Sequence, residues 1–399
     1  MTNLENRIGL GAFLFLLGTT VGFASANDQT LQLAPIIRVF SLTVASLALI
    51  SVIRYIRLEA VCAAFAMLFT YTYGISRGME AFGFIYTWQL IGTSFVVVIV
   101  GVFFLSFDQS IESNKKIAIG YVIFAIAWLL LLIATGALVL EIPPRFEFTL
   151  AISDGRTIAY SQGLSKLYGV TAVFSVWLYQ HGLASTVRPL YLVAAIGFLL
   201  LSLLAGGRGD FAAALVVCGI MFSWGRGAFG VIKLALIIVA SYFILIWAVE
   251  NFSDEVLALR RIKLILEGDS FGFRDELAFD TLRLLSEQPV CLLFGCGYGY
   301  FQLAMGYEYG LYPHNVYLEA LLTWGIIFLL CFCFLALYGL RGLDFRAPMV
   351  WPGVYFALLS LKSGDVLGSW LALSFLFFLA GRGLAMIASN RKEHRELLR

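Results

Sequence analysis

The chain has 399 residues, a formal net charge of +2, 61% hydrophobic and 13% charged residues, and a mean hydropathy of +0.90. A soluble chain of this length would expose far more charge, and a net charge this small gives no basis for a nucleic-acid partner. The composition therefore describes an all-α, polytopic membrane protein whose main partner is the lipid bilayer.

Apolar runs of about 20 residues match the thickness of a bilayer core. In chain order they predict about twelve spans, near 8–26, 36–56, 59–76, 84–107, 117–140, 168–187, 189–206, 211–227, 228–249, 315–340, 348–363 and 366–388. The first run ends in Ala24-Ser25-Ala26, which resembles a signal-peptidase site. Glu5 beside Arg7 leaves only a weak positive segment before it, so the run is expected to stay as the first span. The organisation that follows is a transmembrane bundle over 1–249, one long extracytoplasmic helical loop over 250–313, and C-terminal spans with a cytoplasmic tail over 314–399.

Lysine and arginine predict the orientation. With both termini inside, thirteen basic residues face the cytoplasm: Arg7, Arg54, Arg57, Lys115, Lys116, Arg188, Arg226, Arg341, Arg346, Arg391, Lys392, Arg395 and Arg399. Seven face outward when the longest loop is set aside: Arg38, Arg77, Arg145, Arg156, Lys166, Arg208 and Lys362. The turn at 206–210, the loop at 141–167 and the long loop then share the outer face.

The long loop reads as structured. Ser253-Asp254-Glu255 is expected to start a helix and Gly268 to end it. A second helix is expected from about Phe273 to Gln288, stopping before Pro289, with Leu277, Thr281, Leu282 and Leu285 on one face and Glu276, Asp280, Arg283 and Glu287 on the other. Such a helix lies either on the bilayer surface or on the bundle. Of six cysteines, Cys62, Cys218, Cys331 and Cys333 fall in apolar runs, and Cys291 and Cys296 share this loop with their pairing left open. No CxxC occurs, and the scattered His181, His314 and His394 make no zinc site, so no metal or other cofactor is expected.

Three residues carry candidate chemistry. Arg208 stands among the glycines of Gly206-Gly207-Arg208-Gly209, either as an interfacial arginine reaching headgroups or as an anion site, since its fork binds phosphate oxygens bidentately. Arg274 opens the second loop helix, where a surface ion pair with Asp275 is the plainer reading. His314 precedes a helix whose dipole disfavours imidazolium, and a neutral imidazole there is suited to take a proton from an attacking hydroxyl. The adjoining Asn315, Tyr317 and Glu319 are candidates for substrate contact, although Tyr317 also suits an interfacial belt and Glu319 also complements the helix dipole. Arg260, Arg261 and Lys263 read as a solvated or headgroup-facing set. The run Gly295-Cys296-Gly297-Tyr298-Gly299 lacks the strand–turn–helix context of a nucleotide loop and reads as a mobile or tightly turned segment.

Taken in order, these residues resemble the O-antigen ligase and polymerase superfamily of bacterial envelope enzymes, from about Gly206 to Phe328. The likeness rests on Gly207-Arg208-Gly209, on Phe273-Arg274-Asp275-Glu276-Leu277 leading to Pro289 and the glycine-rich run, and on His314-Asn315 separated by residues 316–324 from Gly325. Members often have serine where this chain has Gly207, and the ligase form tends to have Gly, Thr or Tyr where it has Phe328.

The resemblance implies a GT-C-like, metal-independent, inverting glycosyltransferase of the bacterial inner membrane, with its site facing the periplasm. It would take glycan from a polyprenyl-pyrophosphate carrier. Arg208 and Arg274 would meet the leaving pyrophosphate, and His314 would serve the acceptor hydroxyl. A polymerase is favoured over a ligase because of Phe328, and a chain-length regulator is an implied partner for a polymerase. A lipid-linked sugar transporter would need polar groups near the bilayer midplane, whereas here charge gathers at span ends.

Overall fold

A computed structural model describes residues 3–21, 24–78, 85–107, 110–140, 144–148, 161–181, 186–224, 227–254, 256–267, 273–306, 311–341, 343–362 and 364–397. Arg156, Arg226, Arg399, Glu255 and Gly268 lie outside the described residues. The helices, in chain order, are α1 (Asn3–Val21), α2 (Asp28–Val52), α3 (Leu58–Arg77), α4 (Ile85–Ser106), α5 (Ile111–Ala134), α6 (Gln162–His181), α7 (Arg188–Leu204), α8 (Arg208–Ser223) and α9 (Gly227–Phe252). They continue as α10 (Leu257–Leu266), α11 (Phe273–Glu287), α12 (Pro289–Phe294), α13 (Tyr300–Met305), α14 (Val316–Gly339), α15 (Val350–Leu359) and α16 (Trp370–Leu397). Among the described residues the exception to helix is a small antiparallel pair, β1 (Leu138–Val139) with β2 (Arg145–Phe146), in register Leu138 to Phe146.

Six helices among the described residues are long and apolar enough to cross a membrane: Gln29–Tyr55, Leu58–Arg77, Trp88–Ser106, Ile111–Ala134, Val316–Gly339 and Trp370–Ser389. Shorter apolar helices cover Arg188–Leu204, Ile238–Phe252 and Val350–Leu359. The chain is thus an all-α polytopic membrane protein, with fewer segments meeting both criteria than apolar length alone predicted.

The chain divides into two compact units that interleave in sequence. One comprises Met1–Ala45, Gln109–Ser270 and Arg346–Tyr355; the other comprises Ser46–Asp108, Phe271–Phe345 and Phe356–Arg399.

The first unit is built around α6, whose residues from Gly163 to Leu178 are buried with the exception of Lys166. Its sequence explains how. Gly163, Ser165, Gly169, Ala172 and Ser175 are small enough to let α5, α7 and α8 approach its backbone. A Cβ at Gly169 would stand 2.7 Å from the Tyr355 hydroxyl. Thr171 and Ser175 return their hydroxyl protons to the Leu167 and Thr171 carbonyls, at 2.7 and 2.8 Å, so these two donors are satisfied within the helix. Apolar length had set this helix at 168–187, but it begins at Gln162, preceded by Ser161, whose Oγ accepts from the Leu164 N–H at 3.3 Å. A helix wrapped in protein need not be lipophilic, so its polar first turn was read as loop.

In the second unit α16 packs against α3, α4 and α14. Gly339 and Gly383 bring the backbones of α14 and α16 together, and Gly381 sets α16 onto Ala63 of α3. Beyond the membrane helices, α11 lies on α12, α13 and α14. Leu277, Leu284 and Leu285 form a core with Cys291, Phe301 and Leu322. The expected apolar face of α11 is corrected at one position. Leu282 is 48% exposed, while Leu284 is 5% exposed. Positions 277, 281, 284 and 285 follow the spacing of one helical stripe, and 282 falls off it.

Candidate functional site

Arg208 belongs to the first unit and is the first residue of α8. The turn before it is bare: Gly206 has φ 91°, and Gly207 is the N-cap without a side-chain hydrogen bond. Arg208 is partly exposed, and Asp210, two residues on, is 1% exposed. A cation at a helix N-terminus opposes the dipole, and Asp210 in the first turn offsets it.

Arg274 and the His314 region belong to the second unit. Arg274 sits in the first turn of α11, followed by Asp275 and Glu276, a pattern like that of Arg208 and Asp210. His314 is the one non-glycine residue with positive φ among the described residues, at 54°. That conformation costs about 1 kcal/mol for an L-residue and histidine tolerates it better than most. Pro313 before it is buried, and the Tyr312 ring lies 4.1 Å from the imidazole between centroids. His314 Nδ1 is buried with no hydrogen-bond partner among the described residues.

These surroundings fix the charge of His314. Burial, and then the positive charge of Arg274, push its pKa down to about 4. The imidazole is neutral at physiological pH, and Arg274 lies close enough to contribute. The sequence argument reached the same protonation state from the helix dipole; in the folded protein desolvation comes first.

Asn315, Tyr317 and Glu319 turn out to hold this corner together. Asn315 is the N-cap of α14: its Oδ1 accepts from the Tyr317 and Leu318 N–H groups at 3.0 and 3.1 Å, and its Nδ2 donates to the Leu361 carbonyl at 2.8 Å. The Tyr317 phenol donates to the Ala357 carbonyl at 2.9 Å. Glu319 Oε2 accepts the Val366 N–H at 2.9 Å, and the Val316 N–H reaches the Ser360 carbonyl at 3.1 Å. The start of α14 is therefore tied to the end of α15 and the turn after it.

The glycine-rich run is tightly turned and packed. α14 breaks at Gly325, which has φ 80° and ψ 164°. The break frees the Leu322 and Thr323 carbonyls, and they accept from the Cys296 and Gly297 N–H groups at 2.8 and 3.1 Å. Cys291 and Cys296 are joined as a disulfide, with Cα atoms 4.9 Å apart, so the run is pinned to α12. From α3, the Tyr73 hydroxyl donates to the Phe294 carbonyl and Arg77 Nε to the Gly295 carbonyl at 3.1 Å. Neither role was assigned from sequence; Arg77 was visible only as an outward-facing charge. Phe328 stacks with Phe69 and Tyr73 of α3, at 6.2 and 6.3 Å between centroids, and packs against Trp324 at 5.7 Å.

One unit thus presents the cation Arg208 at a helix start, and the other presents the cation Arg274 at a helix start with a neutral imidazole beside it. No curated protein matches the chain. Residues 190–333 match the family model described as O-Antigen ligase, and that interval contains Arg208, Arg274, His314 and Gly325. Over residues 190–333 the chain is therefore similar to the O-antigen ligase family, in the interval that holds the ordered motifs resembling the O-antigen ligase and polymerase superfamily.

Proposed function

We propose that this protein is an inverting, metal-independent GT-C-type glycosyltransferase of the bacterial inner membrane. It moves glycan from a polyprenyl-pyrophosphate carrier to an acceptor hydroxyl on the periplasmic side. The carrying observation is the neutral, half-buried His314 beside the fixed charge of Arg274. In the proposed step the acceptor oxygen bonds to the anomeric carbon as the bond to the pyrophosphate oxygen breaks. The acceptor proton passes to the His314 imidazole, and the electron pair leaves with the pyrophosphate, whose growing charge meets Arg208 and Arg274. The Cys291–Cys296 disulfide suits a loop on an oxidising, extracytoplasmic side.

The reading favoured here is a polymerase, which extends one lipid-linked repeat unit with another chain; the departure at Phe328 supports it. A second reading, a ligase that hands the finished chain to lipid A-core, is favoured by the description of the matching family. A deletion strain complemented with wild type or His314→Ala, with its glycan profile and lipid-linked pool analysed together, tests both. Loss of polymer with single units still on the final acceptor is the outcome expected for a polymerase. Full-length polymer trapped on the carrier would assign a ligase instead. An unchanged profile would remove His314 from the reaction and overturn the proposal.

A further inference from the structure

The turn that presents Arg208 is held locally by backbone bonds: the Ala205, Gly206 and Arg208 N–H groups donate to the Leu201, Leu203 and Gly206 carbonyls at 3.0, 2.9 and 3.2 Å. Its residues are Ala205, Gly206 and Gly207, and the N-cap makes no side-chain bond. A second grip comes from outside, from the N-terminal end of α6. The Ser161 N–H donates to the Ala205 carbonyl at 3.0 Å, on one side of the turn. On the other side Ser165 Oγ lies 3.3 Å from the Gly207 carbonyl, which also accepts the Phe211 N–H at 2.9 Å as α8 begins.

Ser165 is itself locked. Its hydroxyl lies 2.6 Å from the Ser202 carbonyl and 3.1 Å from Ser202 Oγ, and Ser202 Oγ donates back to the Ser165 carbonyl at 2.8 Å. Both serines are fully buried, at 0% exposure. A Cβ on Gly207 would collide with Ser165 Oγ and stand 2.5 Å from Asp210 Oδ2. The volume a side chain at 207 would fill is thus taken by a hydroxyl from another helix. Buried hydroxyls are costly unless bonded, and an alanine pair would pack two helices as closely. What hydroxyls add here is a fixed distance between α6, α7 and the carbonyl immediately before Arg208.

We propose that Ser165, braced by Ser202, is the positioning residue for Arg208. The pair sets where the guanidinium enters the lipid-pyrophosphate site. This rests on the reading of Arg208 as a pyrophosphate ligand, and the test separates the two.

Full-length protein in detergent is treated with phenylglyoxal, and modification of Arg208 and Arg274 is followed by peptide mass spectrometry, with and without farnesyl pyrophosphate as the lipid-pyrophosphate probe. In wild type, the probe is expected to protect Arg208. In Ser165→Ala, Arg208 modification is expected to change several-fold and the probe concentration for half-protection to rise about tenfold, a loss of transition-state or ligand contact worth one decade. Arg274 modification should stay as in wild type, which a general structural defect would not allow. Ser202→Ala should reproduce the effect more weakly, and it decides the matter if Ser165→Ala does not fold. Unaltered Arg208 modification and half-protection in the serine variants would overturn the inference. Absence of protection in wild type would overturn the pyrophosphate reading alone, and a changed modification rate in Ser165→Ala would still uphold the positioning role.

Discussion

His314 is held in a backbone conformation that few residues accept, beside a fixed cation, with one ring nitrogen buried and unpartnered among the described residues. Its ordinary pKa of 6.5 falls to about 4. Between those values the unfolded chain takes up a proton that the folded chain refuses. Stability from the neutral ring is therefore full above pH 6.5 and is lost as pH falls towards 4. The acid limb of a pH–activity profile should likewise fall near 4, not near 6.5. Glycan synthesis assayed across that window checks this, and a limb at the ordinary value would contradict it. His314→Gln should lower turnover by about a hundred- to ten-thousandfold, the worth of a general base. Arg208→Lys should lower it by about tenfold or more despite keeping charge, because an ammonium lacks the bidentate fork. A wild-type rate in that variant would argue against fork binding. Arg208, Arg274 and His314 were singled out in the sequence by ordered motifs, and their part in the reaction is the proposal made above. The roles of Asn315, Tyr317 and Glu319 were not legible there, because their partners Leu361, Ala357 and Val366 lie far downstream and only the fold brings them near.

Among the elements, α11 and α14 show what local pattern does and does not reveal. The extent of α11, Phe273–Glu287, follows from the proline at 289 and was expected almost to the residue. Its buried stripe was misjudged by one leucine, because 282 and 284 are equally apolar and only the partner helices choose between them. Leu284→Ala should accordingly destabilise by about 2–4 kcal/mol and Leu282→Ala by well under 1 kcal/mol, measured by thermal melting in one detergent. The break in α14 was invisible as a break, since Gly325 sits inside an uninterrupted apolar run. Gly325→Ala forces an L-residue to positive φ and puts a Cβ 2.5 Å from Gly295 N and Leu293 O. That variant should fail to reach the folded state or melt far below wild type. A wild-type melt would show that the helix runs straight in solution.

For the whole molecule, composition sufficed to assign a helical membrane protein, and apolar length sufficed for most helices. Orientation rests on charge bias and is open to direct measurement. If the loop bearing Cys291 and Cys296 faces the periplasm, both should resist alkylation until a reductant is added. A membrane-impermeant maleimide should then label them in spheroplasts. Labelling without reductant would contradict the disulfide, and protection from the impermeant reagent after reduction would contradict the outward loop. If the two arginines act as proposed, they supply the charge that a metal would and activity should persist in EDTA; loss reversed by magnesium would rule this out. The burial of α6 bears finally on how the chain is made. The helix at the centre of its unit carries Ser165, Thr171, Ser175, Lys166 and Gln180, side chains that the hydrocarbon does not welcome. Left alone in the translocon, such a segment would favour water over lipid. It is expected to enter the bilayer only in the company of α5 and α7, whose apolar surfaces shield it, so biogenesis would run from the periphery inward, with the innermost helix the last to commit.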